Sequence, residues 1–214
     1  TCSAEAEQKY KARQQLLNNE TWDIRPDELE IGTQVGQGGF GIVYKGRLRG
    51  MDVAIKQIVV TTKRDAERAL KILDNEVKVL SRCRHKNVVQ LIGKCASPHP
   101  TLVMAFASGG DLRQLLDADL DSTSSKRLQL SDRLRLVSGV CDGMAMLHSR
   151  SILHLDLKPS NVLISSDGTP WITDFGLSKA KSAITSSAAT QSKGGNRGTM
   201  QYKAPEMFRP KSKG

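Results

Sequence analysis

The chain holds 214 residues, and its 32 Lys and Arg outweigh 22 Asp and Glu to give a formal net charge of +10. At 38% hydrophobic and 25% charged, it suits one large domain or two small lobes around a buried core, which excludes a disordered chain. No uncharged apolar run approaches the roughly 18 residues of a membrane helix, and no signal-peptide core follows Thr1.

Residues 1–20 are rich in Ala, Glu, Gln, Lys and Leu, and 1–28 reads as a helical lead-in or linker closed by a turn at Pro26-Asp27-Glu28. Short β-branched runs separated by glycines then predict strands over 29–35, 42–47 and 51–59, a small antiparallel sheet. Ala66, Leu70, Leu73, Val77 and Leu80 recur at helical spacing and predict a helix over 63–80. Strands are expected over 88–93 and 101–106. Past Gly109-Gly110 the pattern turns helical. It predicts a short helix over 111–116, a polar loop over 121–126 and a helix over 131–148. Ser131 is the expected N-cap of the last, with Leu134, Val137, Val140, Met144 and Leu147 on its buried face. Strand fragments follow at 162–164 and 171–173, and the Ser/Thr/Gly-rich stretch 178–198 reads as a mobile loop. The organisation is a β-rich lobe with one major helix over 29–106, then a hinge and a mainly helical lobe over 107–214.

Composition also bears on partners. Aromatic residues are only 4%, too few for a base-stacking platform, and the basic residues are dispersed apart from Arg82, Arg84 and Lys86. Nucleic acid is not an expected partner; a basic surface suits smaller anionic ligands. The four cysteines, Cys2, Cys83, Cys95 and Cys141, form no C-x-x-C pair and no disulfide framework. Cys83, His85, Cys95 and His99 have poor spacing for one zinc ion. Reduced thiols and a cytoplasmic setting are expected.

Several short motifs carry chemistry. Gly36-Gln37-Gly38-Gly39-Phe40-Gly41 runs into Ile42-Val43-Tyr44, so the glycines sit at a hairpin tip and do not open a helix. Such a loop lets backbone amides approach phosphates, though a plain glycine-rich turn has the same composition. Val53-Ala54-Ile55-Lys56 ends an apolar run on a cation. A phosphate-holding lysine needs a carboxylate to orient it; Glu76 and Glu67 compete for that place, and Glu76 lies nearer the apolar side of its helix. In His154-Leu155-Asp156-Leu157-Lys158-Pro159-Ser160-Asn161, one of Asp156 and Asn161 can take a hydroxyl proton and the other can offer oxygen to a metal ion. Lys158 can neutralise phosphate charge. Asp174-Phe175-Gly176 places a carboxylate after a short strand, suited to Mg²⁺. Gly198-Thr199, Tyr202 and Ala204-Pro205-Glu206 close the mobile loop.

These motifs, in this order, resemble a eukaryotic protein kinase domain over roughly residues 29–208. The resemblance implies a bilobal α+β fold, ATP and Mg²⁺, and a protein substrate. It implies that Gly36, Gly38 and Gly41, with Gln37, Gly39 and Phe40 between them, cover the ATP phosphates. Lys56 would hold the α/β-phosphates and pair with Glu76. Asp156 would be the catalytic base and Lys158 would support the transferred group, while Asn161 and Asp174 would bind Mg²⁺. Met104 resembles the gatekeeper, and 105–107, including Ala105 and Ala107, the adenine-contacting hinge. Val43, Ala54 and Leu163 would sandwich adenine. Leu80, Leu91, His154 and Phe175 resemble the hydrophobic spine of active forms. Lys158-Pro159-Ser160-Asn161 and Gly198-Thr199 resemble Ser/Thr kinases. Trp22-Asp23-Ile24 and Val43-Tyr44-Lys45-Gly46 resemble the tyrosine-kinase-like group.

Two departures matter. Leu155 stands where the family usually has an Arg that pairs with a phosphate on the activation loop, so activation is expected to depend less on phosphorylation there. Only eight residues follow Glu206, where the family continues with several helices. The second lobe is therefore expected to be C-terminally truncated, with uncovered apolar faces, and the chain unstable or inactive in isolation. The alternative reading is a pseudokinase, a nucleotide-binding regulatory or interaction module without transfer.

Overall fold

The computed structural model describes residues 22–38, 41–60, 63–96, 99–120, 127–175, 179–180 and 199–205. The expected helical lead-in over 1–20 lies outside them. The chain divides into two compact units, Thr1–Ser108 and Gly109–Gly214. The fold is the α+β arrangement expected, with a small antiparallel sheet and one major helix in the first unit and a mainly helical second unit. No helix among the described residues is long and apolar enough to cross a membrane.

The first unit is a five-stranded antiparallel sheet in the order β1-β2-β3-β5-β4. Its strands are β1 (Leu29–Gly38), β2 (Gly41–Leu48), β3 (Met51–Gln57), β4 (Leu91–Cys95) and β5 (Thr101–Ala105), and α1 (Lys63–Leu80) lies between β3 and β4. The β2–β3 turn is Arg49-Gly50, with φ of 50° and 79°. Two successive positive values make the tight hairpin turn that matches strand twist. Antiparallel partners share a face. Val43 pairs with Lys56 and Ala54 with Met104, so Val43, Ala54, Lys56 and Met104 line one side of the sheet. The other side buries Leu48, Val53, Ile55 and Val103 together with Ile24.

Several boundaries differ from expectation. β3 stops at Gln57 because the Ile58 amide leaves the ladder to donate to Pro100 O at 2.9 Å. β4 begins at Leu91, not at residue 88; Val88 and Val89 are buried, but the Val88 amide is taken by His85 O in a turn. The 26–28 turn is a short 3-10 helix, preceded by Trp22–Ile24 lying alongside β4.

The second unit contains α2 (Leu112–Leu120), α3 (Leu130–Ser149), and the two-stranded pairs β6 (Ile152–Leu153) with β9 (Lys179–Ala180) and β7 (Val162–Ile164) with β8 (Pro170–Ile172). β6 and β9 were not expected; β9 falls where the sequence reads as loop, and 181–198 lies outside the described residues. α3 starts one residue early. Its cap is Gln129, whose amide donates to the Asp132 carboxylate at 3.2 Å, so Ser131 is inside the first turn. The buried stripe of α3 is Leu136, Gly139, Gly143 and Leu147. Leu134 and Val137, expected inside, are each 61% exposed, and Leu130 is 72% exposed. α3 packs against β8 and β6, and Gly139 and Gly143 are buried on it where Leu134 and Val137 are not.

Candidate active site

The glycine loop closes the β1–β2 hairpin, where Gly36 faces Val43, Gln37 faces Ile42 and Gly38 faces Gly41. Gly39 and Phe40 lie outside the described residues. Gly41 is fixed by the fold: its φ is 139°, and an added Cβ would collide with the Gln57 carbonyl. Gly38 meets nothing within 4 Å and Gly36 only Val43 Cβ at 3.8 Å. Packing does not require glycine at those two positions, and they leave backbone open to an approaching ligand.

Lys56 is 7% exposed and Glu76 2%. Lys56 Nζ donates to Glu76 Oε1 at 3.0 Å and Oε2 at 3.3 Å. Glu67 is exposed, so the geometry selects Glu76. β3 supplies the lysine and the inward stripe of α1, Ala69, Leu73, Val77 and Leu80, turns Glu76 into the same interior. A buried ammonium is tolerated because this carboxylate neutralises it. Ala54 and Met104 are buried beside the pair's face, while Ala105 and Ala107 are half-buried at the end of β5 and just beyond it.

In the second unit the loop from His154 to Asn161 gathers four polar side chains with Thr199. Lys158 Nζ donates to Thr199 Oγ1 at 2.7 Å and lies 3.0 Å from Asp156 Oδ2. Thr199 donates to Asp156 Oδ1 through its amide at 2.6 Å and its hydroxyl at 2.9 Å. Asn161, 5% exposed, donates from Nδ2 to the Asp156 backbone carbonyl at 2.8 Å and its carboxylate at 3.2 Å. Burial pushes the Asp156 carboxyl upward, but the bonds from Lys158 and Thr199 outweigh it and hold the group below its usual range, as the anion. An open cavity of about 250 Å³ adjoins it, walled by Leu155, Leu157, Thr199, Tyr202 and Ala204 among others.

The backbone around this loop is strained. Leu155 has φ of 67° and Asp174 of 65°. A bulky side chain in the left-handed region costs about 1–2 kcal/mol and persists only where its surroundings fix it. His154, 2% exposed, is that support. Its Nε2 donates to Thr173 O at 2.8 Å and its Nδ1 accepts the Asp156 amide at 3.3 Å. Its ring packs 5.2 Å from that of Phe175. One neutral imidazole thus joins the Asp156 loop to the Asp174 strand end.

Burial pushes the His154 pKa down. The folded protein keeps the ring neutral, whereas the unfolded chain takes a proton near the ordinary value of about 6.5. This contribution to stability is complete above that value and is lost as pH falls below it. The thermal midpoint is expected to drop between pH 7.5 and 5.5, and His154→Gln to flatten that drop; equal slopes in both proteins would count against the assignment.

Asn161 and Asp174 carry oxygen donors of the kind Mg²⁺ takes. Asn161 Nδ2 donates to Asp156, and the Thr173 amide donates to Asn161 O at 3.0 Å, which brings the two segments together. Mg²⁺ takes few protein oxygens and completes its octahedron with water and phosphate. No cluster of three or more His, Cys, Asp and Glu among the described residues is arranged for a metal ion. Leu163 is half-buried in β7, paired with Trp171 and bridged to Asp111. Thr199 is the residue sequence reasoning missed as part of the site: the Gly198-Thr199 pair was visible, its contact with Asp156 was not.

Residues 29–214 match the family model described as the protein kinase domain. The chain is 35% identical over 178 residues to the G-type lectin S-receptor-like serine/threonine-protein kinase SD1-13 of Arabidopsis thaliana, covering 80% of this chain and 20% of that protein. It is 36% identical over 185 residues to the G-type lectin S-receptor-like serine/threonine-protein kinase At1g11300 of the same plant, covering 84% of this chain and 21% of that protein. The chain thus spans about a fifth of the length of these relatives. With a family model matched along most of its length, the chain belongs to the protein kinase domain family.

Proposed function

We propose that this chain carries the catalytic region of a Ser/Thr protein kinase of the tyrosine-kinase-like group. It transfers the γ-phosphoryl group of ATP to Ser or Thr hydroxyls of a protein substrate in the cytoplasm. The observation that supports this most is the seat of Thr199. A threonine hydroxyl lies 2.9 Å from Asp156 Oδ1 and 2.7 Å from Lys158 Nζ, the placement an acceptor hydroxyl needs relative to a base and a phosphate-neutralising cation. The relatives' names, both serine/threonine-protein kinases, agree with that acceptor class.

In this reading the first unit holds nucleotide. Amides at Gly36, Gly38 and Gly41 cover phosphates, Lys56 binds phosphate oxygens while Glu76 orients it, and Val43, Ala54, Met104, Ala105 and Ala107 receive adenine. The second unit supplies the chemistry. Asp156 accepts the substrate hydroxyl proton, Lys158 neutralises charge on the moving group, and Asn161 with Asp174 holds Mg²⁺. When bound, that ion would supply neutralisation of phosphate charge. The test is phosphotransfer from Mg-ATP to a generic protein acceptor, with the phosphorylated residue identified. Phosphoserine and phosphothreonine are expected; phosphotyrosine alone, or nucleotide binding without transfer by the full parent protein, would defeat it.

One observation favours the reading without transfer for residues 1–214 alone. Leu130, Leu134 and Val137 form an exposed apolar stripe on α3, a face this unit does not bury.

Leu155 removes the usual cationic partner of a loop phosphate. Alanine at Ser182, Thr185, Ser186, Ser187, Thr190 and Ser192, all outside the described residues, is expected to leave the parent protein's transfer rate within about twofold. Activity lost in that variant and regained with phosphate-mimicking carboxylates would contradict the expectation.

A further inference from the structure

β4 is an edge strand, and its edge is taken by the segment just ahead of the first 3-10 turn. The Lys94 amide donates to Trp22 O at 2.6 Å and the Ile24 amide donates to Lys94 O at 2.8 Å, a parallel bridge across Asp23. Ile24 is 9% exposed, packed against Leu48, Val53, Ile55 and Val103. Gly93 allows this docking: a Cβ there would meet Trp22 O at 2.7 Å and Ile24 Cδ1 at 2.5 Å. The same Lys94 reaches the other way with its side chain. Its Nζ donates to Asp74 Oδ1 on α1 at 2.7 Å and lies 4.0 Å from Asp23 Oδ1. Asp74 is two residues before Glu76 on that helix.

We infer that Lys94 is a positioning residue: held by the 22–24 strap through its backbone, it ties α1 to β4 and so keeps Glu76 in reach of Lys56. The inference rests on the nucleotide-holding role proposed for that pair. Asp74 raises the Lys94 pKa, so the ammonium is charged throughout the physiological range. Glu76 and Asp74 leave α1 on different sides, one into the interior and one onto β4. Rotation of the helix that withdraws Glu76 therefore also breaks the Lys94 bond.

The pair is partly exposed, with Lys94 24% and Asp74 64% accessible, so its effect is modest. In the full protein, Lys94→Met keeps the aliphatic stem and removes the charge. It is expected to raise amide hydrogen exchange over 69–80 and to weaken binding of a non-hydrolysable ATP analogue, each by about threefold to fivefold. Lys94→Arg should restore both. In a Glu76→Gln background, Lys94→Met should weaken analogue binding no further, because the residue acts through Glu76. Exchange and affinity unchanged in Lys94→Met, or losses that simply add to those of Glu76→Gln, would overturn the inference. Raised exchange in a protein whose wild type binds no Mg-ATP would instead leave the clamp standing and sink the proposed function.

Discussion

Asp156→Asn is expected to lower phosphoryl transfer by about 10²–10⁴-fold while leaving Mg-ATP binding within a few-fold. The size follows from the loss of a general base, equivalent to about 3–5 kcal/mol in the barrier. The geometry adds a second reason. Among the described residues, the carboxylate's partners are donors: Thr199 through its amide and hydroxyl, Lys158 through Nζ and Asn161 through Nδ2. An asparagine must turn its own NH₂ toward one of them, donor against donor, whichever way the amide is flipped. The side chain is then displaced as well as unable to take a proton. Thr199→Ala should be far milder, since it removes one hydroxyl and leaves the amide bond to Asp156 in place. Transfer assays on a protein acceptor, run beside nucleotide titration calorimetry, separate the outcomes. An Asp156→Asn protein retaining more than a tenth of the transfer rate would remove Asp156 from the role of base.

What the sequence made legible here is what local spacing determines. The hairpin reading of the glycine loop needed only Ile42-Val43-Tyr44 after it, and the apolar stripe of α1 already leaned toward Glu76 over Glu67. Contacts between segments far apart in the chain were not legible. Thr199 reaches Asp156 across 43 positions and Lys94 reaches Asp74 across 20, with no periodicity to announce either. Trp22 and Ile24 read as a motif in the sequence, but nothing there said that they extend the sheet edge at β4. Local rules also lost to packing in places. Hydrophobicity put Leu134 and Val137 inside α3, yet the face that is buried carries Leu136, Gly139, Gly143 and Leu147. Ser131 is a better intrinsic cap than Gln129, but Asp132 behind Gln129 supplies the carboxylate that the first turn needs.

Lys56→Met is expected to lower stability by about 3–5 kcal/mol, because it strands a buried carboxylate without its counter-charge. Glu76 is 2% exposed and receives Lys56 Nζ on both oxygens, so water does not replace the lost bonds in place. The single variant alone cannot tell a structural ion pair from a phosphate-holding one, since both explanations predict damage. The double variant Lys56→Met/Glu76→Met does separate them. Two apolar side chains of similar volume remove the stranded charge, and replacing a buried pair in this way is often neutral or stabilising. Urea unfolding should therefore show most of the lost stability returning. Mg-ATP affinity and phosphotransfer should not return, because no ammonium is left to meet the phosphates. If the double variant regains transfer together with its fold, Lys56 is a packing element and the nucleotide-holding role assigned to it is wrong. If it regains neither, desolvation of the pair is smaller than its burial implies, and the pair itself contributes net stability to the first unit.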